Sequence, residues 1–282
     1  MFQWSDLGEV ESRGGTRRRK GKFKTVAKAA RACEKPDMSL PRFHLPPGHW
    51  REGDLVLPED ESRHCARVLR RQVGDEIEIF DGAGRVVRAR LTTVARETVT
   101  AAVVEVLPTP ARPPAVHLLP ALIKTEPFEW LLEKAVELGA ASVRPVLTAR
   151  TVVQPGGEQL EKKMARWRRH MLEAAKQCHT PFLPQLEAPK PFAEAIAAAP
   201  AGALKILPSL AEASRTLHGL GAGATEAWVV IGPEGDFTPA EEELARARGF
   251  LPVTLGPFIL RAETASLAAL TLLVHEMGRS HG

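Results

Sequence analysis

The run Trp228-Val-Val-Ile231 passes directly into Gly232-Pro233-Glu234-Gly235-Asp236-Phe237, and Val253-Thr-Leu255 passes into Gly256-Pro257-Phe258-Ile259-Leu260-Arg261-Ala262-Glu263-Thr264-Ala265. Both are β-rich apolar segments ending on a Gly-Pro turn, and the turns lie about 24 residues apart. A helix between them is announced by Thr238-Pro239-Ala240-Glu241, where a capping hydroxyl, a first-position proline and a carboxylate three residues on make a capping box. Gly249 ends that helix. Strand, turn, helix, strand and turn in this order predict a parallel α/β sheet. Ligands in such sheets bind outside the carboxyl ends of the strands, so two like turns could wall one crevice. Gly232 and Gly235 let backbone approach a ligand closely. Either turn alone reads as an ordinary β–α connection. The pair, with Arg261 and Glu263 beside the second, reads as a site.

Upstream, residues 116–123 form a nearly continuous apolar run, as a strand covered on both faces would. A helix follows, with Thr125 as N-cap, Pro127 in the first turn and Gly139 just past the end. Its Phe128, Leu131, Leu132 and Ala135 form one apolar stripe. Further strands are expected at 143–147 and 204–207, a long helix over 158–177, a short helix over 192–199 and a last helix through Leu267, Leu270, Val274 and Met277. The long helix turns Leu160, Met164, Trp167 and Met171 inward. From Leu40 to Leu107 the pattern is different: short β segments at 54–57, 76–80, 86–91 and 99–106, with one helix over 62–71, predict a small barrel. Pro108, Pro110, Pro113 and Pro114 mark the boundary as a stiff linker.

The 282 residues carry 38 Lys and Arg against 34 Asp and Glu, a net charge of +4. Ten of those bases and five of the acids fall in residues 1–37, so the remainder is close to neutral and basicity as such says little about partners. Residues 1–37 lack apolar periodicity and are expected to be a disordered basic extension, with an RNA-binding arm as the other reading. Cys33, Cys65 and Cys178 are far apart, which argues against a disulfide framework or zinc site, and no HExxH-like spacing suggests a metal. No stretch is apolar for long enough to cross a membrane, and a cytoplasmic setting is expected. There is no P-loop and no GxSxG, and the first β–α turn of the α/β region, Lys124-Thr-Glu-Pro-Phe-Glu129, has no glycine for a dinucleotide.

IGPEGDF followed by LGPFILRAETASLAAL closely resembles the C-terminal signature of the RsmE family of SPOUT methyltransferases. The resemblance extends through ALIKTEPFEWLLEKAVELGA (121–140), ARWRRHMLEAAKQC (165–178) and RHCARVLRRQVGDEIEIFDGAG (63–84), covering about Leu40 to Gly278. It implies a PUA-like β-barrel over 38–109, then a trefoil-knotted SPOUT α/β domain over 110–282, and a homodimer. It further implies S-adenosylmethionine-dependent methylation of N3 of a uridine in 16S ribosomal RNA. A ribose 2′-O specificity and a non-catalytic RNA-binding dimer remain as alternatives. Carried over residue by residue, the cofactor pocket comprises Leu207 and Pro208, then Ile231, Gly232, Pro233, Glu234 and Gly235, then Leu255, Gly256, Ile259, Leu260 and Ala265. The chain departs from the family at Asp236, where glycine is common, and at His179-Thr180, where Gly-Arg is expected.

Methyl transfer to N3 requires alignment and stabilisation of a uridine anion. Arg261 is the candidate for that anion or for phosphate. Glu263 is either a base or, by preference, the ion-pair partner that holds Arg261. For RNA, Arg63, His64, Arg67, Arg70 and Arg71 are expected on one helix, the arginines at i, i+4, i+7 and i+8 on one face with no acid between Arg63 and Gly74. Arg169, on the long helix, is a second candidate contact; Trp167 beside it belongs to the core stripe.

Overall fold

The computed structural model describes residues 40–152, 156–209 and 215–278, so the extension expected over 1–37 lies outside the described residues. The first layer comprises β1 (Arg42–His44), β2 (Leu55–Val56), β3 (Glu76–Phe80), β4 (Val86–Val94) and β5 (Val99–Val106), in the order β1-β3-β4-β5-β2. β1 runs parallel to β3, and the other pairs are antiparallel. Alternation turns Ile77 and Ile79, Val87, Ala89 and Leu91, and Val99 and Ala101 into one apolar core with Phe43 and Leu45. Register shifts at Arg88/Ala89 and Leu91/Thr93 bend the long β4–β5 pair and curl the sheet toward a barrel.

The helix expected over 62–71 takes another form. α1 (Glu59–Arg63) begins three residues earlier, behind Pro58, with Glu59, Asp60 and Glu61 in its first turn, where the helix dipole favours acids. It widens into a π-helical turn over His64–Val68, where Leu69 N–H donates to His64 O, and stops at Arg70, whose φ of 51° is left-handed. Buried Ser62, bonded to Leu57 O and Val99 N–H, and buried Cys65 anchor this end to the barrel. Arg63, Arg67, Arg70 and Arg71 therefore do not share a regular helix face.

The α/β layers follow in chain order as β6 (Ala115–Pro120), α2 (Thr125–Glu137), β7 (Ser142–Val143), β8 (Val146–Leu147), α3 (Gly157–Cys178), β9 (Gln185–Leu186), β10 (Lys190–Pro191), α4 (Phe192–Ala197), β11 (Leu204–Pro208), β12 (Arg215–Thr216), β13 (Glu226–Ile231), α5 (Pro239–Ala247), β14 (Leu251–Thr254) and α6 (Ala262–Gly278). Seven of these strands form a sheet ordered β12-β14-β11-β13-β6-β7-β9, parallel throughout. Period two sorts its residues between two cores. Val116, Leu118, Ile206, Val229 and Ile231 pack with α2, α3 and α6, while Leu119, Leu207, Trp228 and Val230 pack with α4 and α5.

Two local expectations need correction. Thr125 is the first residue inside α2, and Lys124, in extended conformation, is its cap without a side-chain hydrogen bond. The strand expected over 143–147 breaks at Arg144-Pro145, because proline has no N–H for the ladder; Val146–Leu147 pairs with β10 instead.

The proline-rich connection is pinned at several points. Leu107 N–H donates to Val86 O, the Thr109 hydroxyl to Gly84 O, and Pro113 packs on the left-handed Gly139 that ends α2. Barrel and α/β layers also meet directly: Lys176 of α3 pairs with the buried Glu61 of α1 at 2.6 Å, and the Arg42 guanidinium donates to Ala175 O. Phe80 and Val86 of the barrel belong to the same apolar cluster as α2 and α3.

In that cluster Trp167 packs against Phe128 with ring planes tilted by 53° and centroids 4.7 Å apart. Its indole Nε1 is buried without a hydrogen-bond partner among the described residues. Trp167→Ala should therefore cost about 3–5 kcal/mol in urea unfolding, whereas Trp167→Phe, which keeps an aromatic ring against Phe128 and removes the unpaired donor, should cost markedly less. Equal destabilisation by both variants would contradict this account of the site.

Candidate active site

β14, β11 and β13 are adjacent and parallel, so their carboxyl ends lie side by side and the three following loops converge. Between them is a cleft of about 280 Å³. The β11 loop contributes Pro208 and Ser209. The β13 loop contributes Ile231, Gly232, Pro233, Glu234 and Asp236. The β14 loop contributes Leu255, Gly256, Phe258, Ile259, Leu260 and Arg261, with Ala262 and Ala265 from α6. Of the expected pocket residues, Leu207 and Gly235 are absent from this lining. Leu207 alternates to the opposite side, where it is fully buried against α4 and α5. Gly235 faces Arg150, whose side chain would be the neighbour of an added Cβ. Phe258 and Ala262 fall within the expected 255–265 loop, while Ser209 and Asp236 are lining residues that sequence reasoning missed.

The loops are held by backbone conformations that their residues suit. Gly256 has φ of 131°, open only to glycine at little cost, and its N–H and C=O both bond the Thr254 hydroxyl. Gly232 needs no unusual φ, but a Cβ there would meet the Asp236 carboxylate at 3.0 Å and the Phe237 ring at 3.4 Å. The left-handed residue of that turn is Asp236, φ 61°, whose Oδ1 accepts the Phe237 N–H at 2.8 Å. Aspartate is among the few side chains that tolerate this conformation, which accounts for the departure from glycine at this position.

A second turn clamps the β13 loop from outside. The Arg150 guanidinium donates to Gly235 O and to Phe237 O. Glu241, the carboxylate of the Thr238 capping box, accepts from the Thr238 N–H and hydroxyl with one oxygen and from Ala149 N–H, at 2.8 Å, with the other. Partial burial opposes its ionisation. The hydrogen bonds from Thr238 and Ala149 and the Arg150 charge outweigh that and hold the Glu241 carboxyl below the ordinary glutamate range.

Arg261 is exposed on the cleft wall, and Glu263, in the first turn of α6, is half-buried and off the wall. Among the described residues neither makes an ion pair, so the expected Arg261–Glu263 pair is not formed. Side chains two apart at a helix start project to different sides. Cys65 is no alternative nucleophile: burial pushes its thiol up to about 11. No group of three His, Cys, Asp or Glu among the described residues could hold a metal ion, and no described helix is long and apolar enough to cross a membrane.

The basic candidates for RNA are dispersed. Arg63 pairs with Glu59 at 3.2 Å and Arg71 lies 4.0 Å from Asp75, so acids flanking the segment neutralise both, contrary to the expected uncompensated face. His64 is half-buried in an edge-to-face contact with Phe43, while Arg67 and Arg70 are exposed. On α3, Arg166 and His170 are taken up by Glu129, and Arg169 remains exposed without an ion pair among the described residues.

Comparison with known proteins places this geometry. The family described as RNA methyltransferase domain matches residues 110–274, and that described as RNA methyltransferase PUA domain matches residues 57–104. A ribosomal RNA small subunit methyltransferase E of Synechocystis sp. is 35% identical over 81% of this chain and 75% of its own length. The crystal structure of a ribosomal RNA small subunit methyltransferase E from Neisseria gonorrhoeae bound to S-adenosyl methionine is 31% identical, covering 82% of this chain and 96% of that one with a TM-score of 0.76. A putative methyltransferase from Legionella pneumophila in complex with bound SAM is 30% identical, covering 83% and 96% with the same TM-score of 0.76. The chain belongs to the RNA methyltransferase family of the ribosomal RNA small subunit methyltransferases E, with a SPOUT α/β domain following a PUA domain.

Proposed function

We propose that this chain methylates N3 of a uridine in the 16S RNA of the small ribosomal subunit, using S-adenosylmethionine bound in the cleft beyond β14, β11 and β13. The observation that carries this reading is the cleft itself, walled by three loops at the carboxyl ends of neighbouring parallel strands, in a chain of this family. The wall fits the cofactor: apolar Leu255, Ile259 and Leu260 suit an adenine face, and the tight turns at Gly232 and Gly256 present backbone groups to polar edges. When bound, S-adenosylmethionine supplies an electrophilic methyl group on sulfur.

The residues of the chain do the rest. Arg261 on the wall stabilises the uracil anion left when N3 loses its proton, and by its charge favours that loss. Glu263, half-buried and off the cleft wall, is not placed beside Arg261 and is given no part in the transfer. Arg67, Arg70 and Arg169 are the exposed cations retained as RNA contacts. A homodimer is part of the same reading. The loop before α6 leaves Phe258 77% and Ile259 87% exposed, and α6 itself leaves Leu272 40% exposed, apolar surface that suits burial against a second copy.

Nucleoside mass spectrometry of small-subunit RNA, incubated unmodified with the protein and labelled S-adenosylmethionine, should give 3-methyluridine. Label in a ribose 2′-O-methyl nucleoside, or none in RNA, would overturn the assignment. Gly232→Ala should weaken cofactor binding by at least tenfold in calorimetry, because the loop must open to admit the Cβ. Gly235→Ala, which meets only the movable Arg150 side chain, should change it less than threefold. Reversal of that order would remove the β13 loop from the pocket. Glu241 is held below its unfolded value, so its stabilisation is present at neutral pH and lost as pH falls through and below the ordinary glutamate range. Glu241→Gln should therefore lower the melting temperature at pH 7, with the difference from wild type shrinking in acid; a gap independent of pH would show that its charge is irrelevant.

A further inference from the structure

Four arginines lie over aromatic rings, 4.2 to 4.9 Å from the centroids: Arg42 over Phe80, Arg144 over Trp228, Arg85 over Trp50 and Arg112 over Phe182. The first two have carboxylate partners, Glu78 at 3.6 Å and Glu187 at 3.1 Å, and belong to the packing of the fold. Arg85 and Arg112 are not so paired: neither has a carboxylate partner among the described residues. Both side chains are exposed to solvent.

Both stacks are tied to one loop, residues 81–85. Asp81 Oδ1 accepts the N–H groups of Ala83 and Arg85, so the acid of this loop is engaged with its own backbone. Trp50 is oriented by its Nε1–H bond to Leu45 O at 2.7 Å. On the α/β side, Ala83 bridges to Phe182, Gly84 N–H donates to Pro181 O and Leu183 N–H to Gly82 O. Gly84 leaves room for the Phe182 ring, which a Cβ would approach to 2.7 Å. The loop therefore stitches the barrel to the segment after α3, with its own Arg85 over Trp50 and the linker's Arg112 over Phe182, the ring that packs on Gly84.

A guanidinium seated over an aromatic ring is restricted in where its N–H fork can point, and that fork matches two oxygens of one phosphate. Such a group gives up little side-chain freedom on binding and has no salt bridge to break, unlike Arg63 and Arg71. We infer that Arg85 and Arg112 grip two phosphates of the substrate RNA at this seam between barrel and α/β domain. The inference rests on the rRNA reading above and adds the place of the grip. Phosphate contacts set register, so base selection lies elsewhere.

The test is binding of the full-length protein to unmodified small ribosomal subunits across a salt series, alongside methyl transfer. Arg85→Ala/Arg112→Ala should raise Kd about tenfold or more and make the slope of log affinity against log salt shallower by roughly 0.7–0.9 for each phosphate no longer held. Affinity for S-adenosylmethionine should stay unchanged, as should kcat at saturating RNA. Arg96→Ala, an exposed arginine on the β4–β5 turn, controls for net charge and should leave the slope as in wild type. A double variant with wild-type Kd and slope, or an equal effect in Arg96→Ala, overturns the seam while wild-type methylation still stands. Wild-type protein that neither binds nor methylates the subunit overturns the functional reading, and the seam with it.

Discussion

Strand β13 is hydrogen-bonded to parallel neighbours on both edges and buried by side chains on both faces. A strand so enclosed has no freedom to slip, since a one-residue shift would exchange Val229 and Ile231 with Trp228 and Val230 between two differently shaped cores. Its carboxyl end is therefore a fixed point, and so are those of β11 and β14 beside it. The cleft has little regular structure in its own walls; its precision is inherited from the sheet behind.

That arrangement explains why few charged side chains are needed at the wall. The turns are shaped by local demands: glycine at a left-handed φ at 256, a turn too tight for a Cβ at 232, and aspartate tolerated at a left-handed φ at 236. The capping box of α5 has two roles. Its carboxylate satisfies helix amides and also holds the 148–151 turn against the same loop, so helix start and cleft wall share one hydrogen-bond network.

Much of this was legible in local sequence. The capping box at Thr238, the apolar run 228–231 and the stripe through Met164, Trp167 and Met171 all follow from residues within a turn or two of each other. What was not legible depended on distant partners or on backbone shape. Arg150 is 85 residues from the carbonyl it holds, and no spacing rule connects them. The π-helical turn after Arg63 broke a charge pattern that a regular helix would have aligned, and an acid just upstream, Glu59, neutralised part of it. Arg261 and Glu263, close in sequence, were parted by the start of α6. The His179 departure also becomes intelligible: the residue closes α3 in a left-handed conformation, φ 58°, and its ring lies 3.8 Å from buried Glu78.

That joint, with Lys176 locked onto Glu61 and Arg42 beside Ala175, has a consequence of a different kind. Buried ion pairs contribute little net stability, but they tolerate few relative orientations. The barrel is thus set at a fixed angle and distance from the cleft, like the fixed jaw of a caliper. Any RNA contact made by the barrel is thereby held at a constant distance from the cleft, whatever the rest of the RNA does.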